Sequence, residues 1–187
     1  MTSSVDILTF LKSAEKLKCT LRSGYASDGR RESTAEHTWR LCLMVMVFEK
    51  QLPPEINLLK LLKICLIHDL GEAIGGDIPA TEQKAPKSDS ERRDFMTLLA
   101  PLEEAQRAEF LALWDEYENA SSPEAVFAKG FDKLETILQH SQGENPPGFD
   151  YDFNLSYGKK QTDAHPLLSE IRQLLDAETR ARKGENK

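Results

Sequence analysis

A short segment over residues 67–77, IHDLGEAIGGD, combines side chains that can bind a metal ion. It places His68, Asp69 and Glu72 directly after an apolar run, LLKLLKICLI. An ionised group is costly to bury unless a partner compensates its charge. If the segment is helical, the spacings of three and four residues put all three side chains on one face. Imidazole and carboxylate together suit Zn, Mn, Fe or Co better than Ca, so the spacing predicts part of a divalent-metal site.

Further ligands must come from elsewhere in the chain, because so few side chains cannot hold a metal ion alone. The chain has four histidines, and two of them have simpler explanations. His140 ends a predicted helix, where an imidazolium complements the helix dipole, and His165 lies in a polar loop. By elimination, His37 is the best second imidazole. The spacing leaves the remaining carboxylate open among four candidates: Glu36, Asp77, Asp132 and Glu135.

Each candidate ligand also has a purely structural interpretation. A His-Asp pair near a helix end is commonly a capped terminus or a surface ion pair. His37 could equally be a core or first-turn histidine whose hydrogen bonds are satisfied. The apolar run that precedes His68 favours burial of the His68–Asp69 pair, and burial requires a partner for its charge.

Helix signals accompany both candidate imidazoles. Ser33-Thr-Ala-Glu36 is a capping box, and it predicts a helix that carries His37 and continues to about residue 50. A second helix is predicted over residues 55–74, with two glycines ending it. The His-Asp pair would then lie near the carboxyl end of this second helix.

The rest of the chain has the same helical character. Further helices are predicted over residues 5–16, over 88–117 with a kink near Pro101, from Ser122-Pro123 to about 140, and over about 166–182. Loops are predicted over 22–33, 77–88 and 141–162, the last being long, rich in glycine and proline, and aromatic. The sequence therefore predicts an all-α fold, a helical bundle that forms a single domain over residues 1–187.

Composition limits the possible partners and compartments. The chain has 187 residues, of which 40% are hydrophobic and 29% charged, and a net charge of -7. Nucleic-acid polymers are bound by basic surfaces, so we expect no such partner, and no run reaches the roughly 20 apolar residues of a membrane span. The three cysteines form no CxxC pair, and the first residues do not resemble a secretory signal. These features predict a cytoplasmic protein.

Three segments together resemble a known family: STAEHTWRL, CLIHDLGEAIGGDIP and FAKGFDKLETILQ. Their ordered histidine, His-Asp pair and later aspartate are similar to the signature of the HD-domain superfamily of metal-dependent phosphohydrolases. The pattern is closest to the small 5′-deoxynucleotidases, and the similarity runs over about residues 17–139. The resemblance implies an HD-domain helical bundle that releases phosphate from (deoxy)nucleoside 5′-monophosphates, and a homodimer is possible because relatives are often dimeric.

The resemblance also assigns roles to residues. It implies one divalent metal ion (Co, Mn, Zn, Fe or Mg), with four ligands: His37, His68, Asp69 and Asp132. Glu72 would activate or orient the attacking water, and Arg22 would position the phosphate. Asp77 matches a residue near the sugar of the nucleotide. Close relatives often carry an aromatic residue near the arginine, and here Tyr25 is the candidate for that role.

Two other functions compete with this interpretation. An HD hydrolase could act on another nucleotide or phosphoester. Alternatively, the chain could be a non-catalytic helical module with a structural metal. The second alternative is weaker because Glu72 and Arg22 would be unnecessary, and because the cysteines are misplaced for a closed structural zinc site.

Overall fold

The computed structural model describes residues 2–77 and 88–185, and helices dominate both ranges. The helices are α1 (Ser4–Ala14), α2 (Thr34–Val47), α3 (Leu58–Ile67), α4 (Glu72–Gly75), α5 (Ser88–Leu99), α6 (Glu104–Asn119), α7 (Pro123–Gln142), α8 (Tyr151–Ser156), α9 (Lys159–Thr162) and α10 (Pro166–Glu185). A short antiparallel hairpin joins strands β1 (Leu21–Tyr25) and β2 (Arg31–Ser33). The predicted all-α fold is therefore confirmed. Within the described ranges, no helix is long and apolar enough to cross a membrane.

Two predicted helix starts are confirmed by their caps. The Ser33 hydroxyl accepts a hydrogen bond from the Glu36 amide, and the Glu36 carboxylate accepts one from the Ser33 amide. This capping box begins α2 and places His37 in its first turns. The Ser122 hydroxyl caps α7 by accepting a hydrogen bond from the Ala125 amide, and Pro123 is at the first helical position.

The predicted loop over residues 22–33 is wrong, because most of it forms the β1–β2 hairpin. Leu21 pairs with Ser33 and Tyr25 with Arg31, and the register shifts between the two pairs. Gly29 turns the chain with a φ of 81°. The strands are short and polar and contain a glycine, so alternation of apolar residues gave no signal for them. Arg22 consequently lies on a strand rather than on a loop.

The predicted helix over residues 55–74 is also wrong in extent. The helix α3 begins only after Asn57, whose side chain caps it, and it ends at Ile67. His68 to Gly71 form a turn, and α4 then begins at Glu72. Gly71 lies against α5: a Cβ on it would be 3.0 Å from the Glu91 carbonyl oxygen. This close contact explains a glycine within what reads as a continuous helix.

Two further predictions need correction. The segment 88–117 is not one kinked helix, since α5 ends at Leu99 and α6 begins at Glu104. The segment 141–162 is not simply a loop, since it contains α8 and α9. Phe149 packs edge to face on Tyr151, and Phe153 stacks on Tyr157. Most of the predicted loop over 77–88 lies outside the described residues.

The helix α7 is the centre of the fold. It packs against α2, α3, α6 and α10, and most of its length is buried. Its apolar side chains, among them Phe131, Leu134 and Ile137, are fully buried in the core. Asp132 and Glu135 lie among these apolar positions and are buried as well. Two carboxylates in the middle of the core require partners, and α2, α6 and the turn after α3 supply them.

Candidate metal centre and active site

Four side chains converge where α2, α7 and the turn after α3 meet. The Nε2 atom of His37 lies 3.2 Å from Asp132 Oδ1 and 3.8 Å from Asp69 Oδ2. The Nε2 atom of His68 lies 3.0 Å from Asp69 Oδ2 and 3.9 Å from Asp132 Oδ1. Both imidazoles and Asp132 are buried. The ligand atoms of His37, His68 and Asp69 lie within 4.8 Å of one another, which is close enough for one ion to bind them all.

The hydrogen bonds of the two imidazoles fit this metal site. Among the described residues, neither Nε2 atom has a hydrogen-bond partner, although both are buried. The other nitrogen of His68 is 2.8 Å from the Cys65 carbonyl oxygen, which can only accept. His68 must therefore donate from Nδ1, which leaves a lone pair on Nε2 for a metal ion. His37 Nδ1 contacts the Glu135 carboxylate, which orients its Nε2 in the same way.

The local charges favour a cation at this point. Burial opposes ionisation of Asp132, but Lys133 and the two histidines hold the pKa of this carboxyl well below its usual range. Burial and Arg22 lower the pKa of His37, whereas Glu135 and Asp132 raise it, and the result is a pKa of about 10. Carboxylates thus select a positive charge here, and a metal ion would take the place of the histidine proton.

Asp132 is held through its second oxygen. Tyr117 donates its hydroxyl to Asp132 Oδ2 at 2.7 Å, and Lys133 Nζ is also 2.7 Å from this oxygen. The ring of Tyr117 packs against His68 with centroids 4.8 Å apart. Since Oδ2 is occupied by two donors, Oδ1 is the oxygen that faces the histidines.

The four carboxylates left open by spacing have distinct environments. Asp132 faces the two Nε2 atoms, whereas Glu135 contacts Nδ1 of His37 and accepts a 2.6 Å hydrogen bond from Arg40. Glu36 is used in the capping box and pairs with Arg30 at 2.6 Å. The remaining candidate, Asp77, is partly exposed.

A second group of acidic side chains surrounds His37 on its other side. Glu32, His37 and Glu135 are all buried, and their ligand atoms also lie within 4.8 Å of one another. Burial and the neighbouring Glu135 raise the pKa of Glu32 to about 7. This group uses the Nδ1 side of the imidazole, where Arg40 already neutralises Glu135, so we assign it to the support of His37.

Glu72 is buried at the start of α4 rather than on the same helix as His68. The backbone amide of Glu72 donates to the Asp69 carbonyl at 3.0 Å, which keeps the two residues within one turn. The Thr34 hydroxyl lies 3.0 Å from Glu72 Oε2 and joins α4 to the first turn of α2. The spacing predicted that His68, Asp69 and Glu72 share one face of a single helix, and this prediction is wrong. The turn between α3 and α4 nevertheless keeps the Glu72 backbone bonded to that of Asp69.

Arg22 reaches the same site from β1. Its Nη1 atom is 3.6 Å from Asp69 Oδ2 and its Nε atom 3.4 Å from Glu32 Oε2, while Nη2 donates to Thr136 at 3.1 Å. Burial lowers the pKa of this guanidinium, but Asp69 and the other carboxylates, among them Asp77, raise it by more, so the pKa lies above its ordinary value. Arg22 is therefore a fixed cation beside the candidate metal ligands.

Tyr25 is held through its backbone. Its carbonyl accepts a hydrogen bond from the Gln139 side chain, and Gly143 approaches the same carbonyl so closely that a Cβ there would be 2.0 Å away. These contacts fix the end of β1. The role of the Tyr25 ring at a substrate stays a prediction.

Four residues of this site were not predicted as functional: Thr34, Tyr117, Lys133 and Glu135 as a support for His37. Glu135 had a weak signal, because it lies three residues after Asp132 and so near the same helix face. Tyr117 and Thr34 had none, since their partners are distant in the chain and are reached only through helix packing.

The fold and the site together define a class of protein, a helical bundle with a buried histidine–carboxylate cluster, a candidate metal centre, beside an arginine. Residues 14–172 match the family model described as HD domain. The chain belongs to the HD domain family.

Individual relatives support the same conclusion. The chain is 34% identical over 187 residues to the 5′-deoxynucleotidase HDDC2 of Mus musculus, covering 96% of this chain and 91% of the relative. It is 34% identical over 173 residues to the 5′-deoxynucleotidase hdd1 of Schizosaccharomyces pombe, covering 88% and 86%. A crystal structure described as a predicted metal-dependent phosphohydrolase from Magnetospirillum magnetotacticum superposes with a TM-score of 0.84 at 26% identity, over 98% of both chains.

Proposed function

We propose that this protein is a metal-dependent phosphohydrolase that releases inorganic phosphate from 2′-deoxynucleoside 5′-monophosphates. The observation that carries the proposal is the convergence of two imidazoles and two aspartates beside the buried cation of Arg22. Relatives named as 5′-deoxynucleotidases across most of the chain length support the choice of substrate.

The proposed metal ligands are His37, His68, Asp69 and Asp132, with one divalent ion between them. Two neutral imidazoles and two carboxylates suit Zn, Mn, Fe or Co, and Mg is the further candidate. The bound ion would supply an acidified water, since such ions lower the pKa of bound water from 15.7 towards about 7.

Glu72 is the proposed base for the attacking water. Its carboxylate is buried, its backbone amide bonds the carbonyl of Asp69, and Thr34 holds one of its oxygens. This carboxylate would accept a proton from water, or hold that water in line with phosphorus. A buried carboxylate fixed by a hydroxyl has one orientation, which is what general base catalysis requires.

Arg22 is the proposed phosphate ligand. A guanidinium can offer two parallel N–H donors to a phosphoryl group, whereas an ammonium acts as a point charge. Three of its nitrogens already contact side chains of the site, so the group is oriented before substrate binds. When substrate is bound, the guanidinium would interact with the phosphate as well as with Asp69.

Recognition of the sugar is proposed to involve Asp77 and Tyr25. Asp77 is partly exposed. The pKa of Arg22 is lowered by burial and raised mainly by Asp69, and Asp77 raises it by a smaller amount. A carboxylate there could accept a hydrogen bond from the 3′-hydroxyl of a deoxyribose. Tyr25 ends β1, the strand that carries Arg22, and could contact the same sugar.

The direct test is phosphate release from a panel of deoxyribo- and ribonucleoside 5′-monophosphates. The protein would be stripped with a chelator and reloaded with Co, Mn, Zn, Fe or Mg in turn. We expect metal-dependent release from the deoxynucleotides. Release only from another phosphoester would favour the alternative HD hydrolase, and metal binding with no release from any substrate would favour a structural metal.

The whole chain is proposed to form one HD domain, located in the cytoplasm. The contacts of α10 with α7 tie the last helix to the region that carries the signature. The three cysteines of the chain are free thiols, as is usual in a reducing compartment.

A homodimer is proposed through exposed apolar side chains of α2 and α3. Trp39, Leu43 and Val47 follow one another at four-residue spacing on α2 and are exposed, and Leu59 and Leu66 on α3 are exposed as well. Exposed apolar patches of this kind commonly mark protein interfaces. Light scattering of the wild type and of Leu43→Glu tests this: a dimer that becomes a monomer supports the proposal, and a wild-type monomer contradicts it.

A further inference from the structure

Lys133 and the turn between α8 and α9 are linked to the candidate metal centre by direct contacts. Lys133 Nζ lies 2.7 Å from Asp132 Oδ2, the oxygen that faces away from the histidines. Asp132 Oδ1 faces His37 Nε2 at 3.2 Å. A donor on the outer oxygen prevents the carboxylate from rotating, and groups that hold a ligand in this way affect metal affinity strongly.

A lysine can provide such a contact only if its own flexible side chain is held. Ordering the four-carbon stem costs conformational entropy, so a free lysine spends little time in one rotamer. In this structure the turn at Tyr157 and Gly158 lies directly over the stem. Lys133 Nζ is 5.3 Å from the centroid of the Tyr157 ring, and its side chain is only 23% exposed.

Gly158 makes this arrangement possible. A Cβ on Gly158 would lie 2.6 Å from Lys133 Cβ and 2.7 Å from Lys133 Cγ. These atoms are close to the backbone of α7 and cannot move aside easily. Any side chain at this position would therefore push the turn away from α7 or rotate the lysine stem.

The turn is itself anchored from behind. Arg172 of α10 is buried and donates to the carbonyl of Tyr157 at 2.7 Å and to the carbonyl of Asn154 at 2.6 Å. Its Nε atom pairs with Asp176 at 2.6 Å. The residues around the turn are thus fixed to α10, and the turn can transmit that rigidity to the lysine.

We propose that the Tyr157–Gly158 turn holds Lys133 against Asp132, so that the segment over residues 151–162 is a positioning element for the metal centre. Lys133 is a positioning residue, because it acts through Asp132. The inference rests on the proposed metal-dependent function, and it gives a role to a segment that is otherwise remote from the signature residues.

The test compares two glycines that have similar backbones but different surroundings. Gly158 has a φ of 66° and Gly148 a φ of 83°, and a Cβ on Gly148 would meet no atom within 4 Å. Gly148→Ala therefore also places a Cβ on a residue with positive φ, but without the collision. The affinity for Mn²⁺ and Co²⁺ would be measured by competition with a chelator, in the absence of substrate, together with the Co²⁺ absorption spectrum.

We expect Gly158→Ala to weaken metal affinity about 10-fold and to change the Co²⁺ spectrum. Gly148→Ala should stay within about 2-fold of the wild type, since its substitution touches no neighbour of the centre. Lys133→Met, which keeps the stem but removes the ammonium, should reproduce the loss seen with Gly158→Ala. Lys133→Arg should restore part of it.

A double substitution decides whether the effect passes through the lysine. In the Lys133→Met background, Gly158→Ala should cause no further loss of affinity, because the contact it disturbs is already absent. An equal loss in both backgrounds, or equal affinities of the two alanine variants, would overturn the inference alone. A wild type that binds neither ion would overturn the proposed function as well.

Discussion

The hydroxyl of Thr34 lies 3.0 Å from the carboxylate oxygen Oε2 of Glu72, and both side chains are buried. This hydrogen bond joins the first residue of α2 to the first residue of α4. Thr34 lies three residues before His37, and Glu72 lies three residues after Asp69. The contact therefore couples the proposed base to both segments that supply metal ligands.

Removing this hydroxyl should reduce turnover without removing the metal. Thr34→Val keeps the shape of the side chain but leaves the Glu72 carboxylate without this donor. Hydrogen bonds to charged groups contribute about 1.5–3 kcal/mol, so kcat should fall roughly 10-fold or more while metal content is unchanged. Thr34→Ser, which retains the donor, is the control and should stay near the wild type. Loss of metal from Thr34→Val would contradict this role.

Glu72 itself should be needed for chemistry but not for metal retention. Glu72→Gln should lower kcat by roughly 10²–10⁴-fold, because general base catalysis contributes about that much. Metal content, measured by elemental analysis after gel filtration, should remain at the wild-type level. If Glu72→Gln loses its metal to the same degree as its activity, Glu72 is a ligand instead.

Asp69 should behave in the opposite way. Asp69→Ala removes a charged ligand whose oxygen lies 3.0 Å from His68 Nε2 and 3.8 Å from His37 Nε2. We expect metal content and phosphate release to be lost together, and excess metal to restore little activity. Retention of metal with full turnover would exclude Asp69 from the centre. Treatment of the wild type with a chelator should have the same effect, reversibly.

Arg22→Lys tests whether geometry or charge matters at the phosphate site. The substitution keeps the positive charge beside Asp69 but removes the planar pair of donors. We expect kcat/KM for a deoxynucleotide to fall about 10–100-fold, with metal affinity little changed. Arg180→Lys, whose side chain on α10 is 62% exposed, is the control. An unaffected rate in Arg22→Lys would remove this residue from the site.

Arg172 should be important for stability. It is 3% exposed and bonds Asp176 and three groups of the segment 151–162. Arg172→Met leaves a largely buried carboxylate and two carbonyls without their donor, so the free energy of unfolding should fall by about 3–5 kcal/mol. Arg180→Met on the same helix, where the side chain is 62% exposed, should change it by less than about 0.5 kcal/mol. Urea denaturation of both variants provides the measurement, and equal effects would contradict the assignment.

Local signals in the sequence were sufficient for much of the helical framework. The capping box at Ser33 and the Ser122-Pro123 pair act over three or four residues, and both start helices where predicted. Local signals failed where a contact distant in the chain decides the conformation. Strand β1 is stabilised by pairing with β2, and Gly71 is required by α5 rather than by the turn around it.

By itself, the sequence determined the composition of the site: a His-Asp pair at the end of an apolar run, one further usable histidine, and a fold made of helices. Residue spacing could not choose among Glu36, Asp77, Asp132 and Glu135, because it carries no information about a partner that lies far along the chain, and Asp132 was favoured only through the family resemblance. Only the packing of α7 against α2 and α3 distinguishes them. It turns Asp132 towards the free nitrogens of both imidazoles and Glu135 towards the opposite side of one of them, and this difference in direction separates a candidate metal ligand from its support.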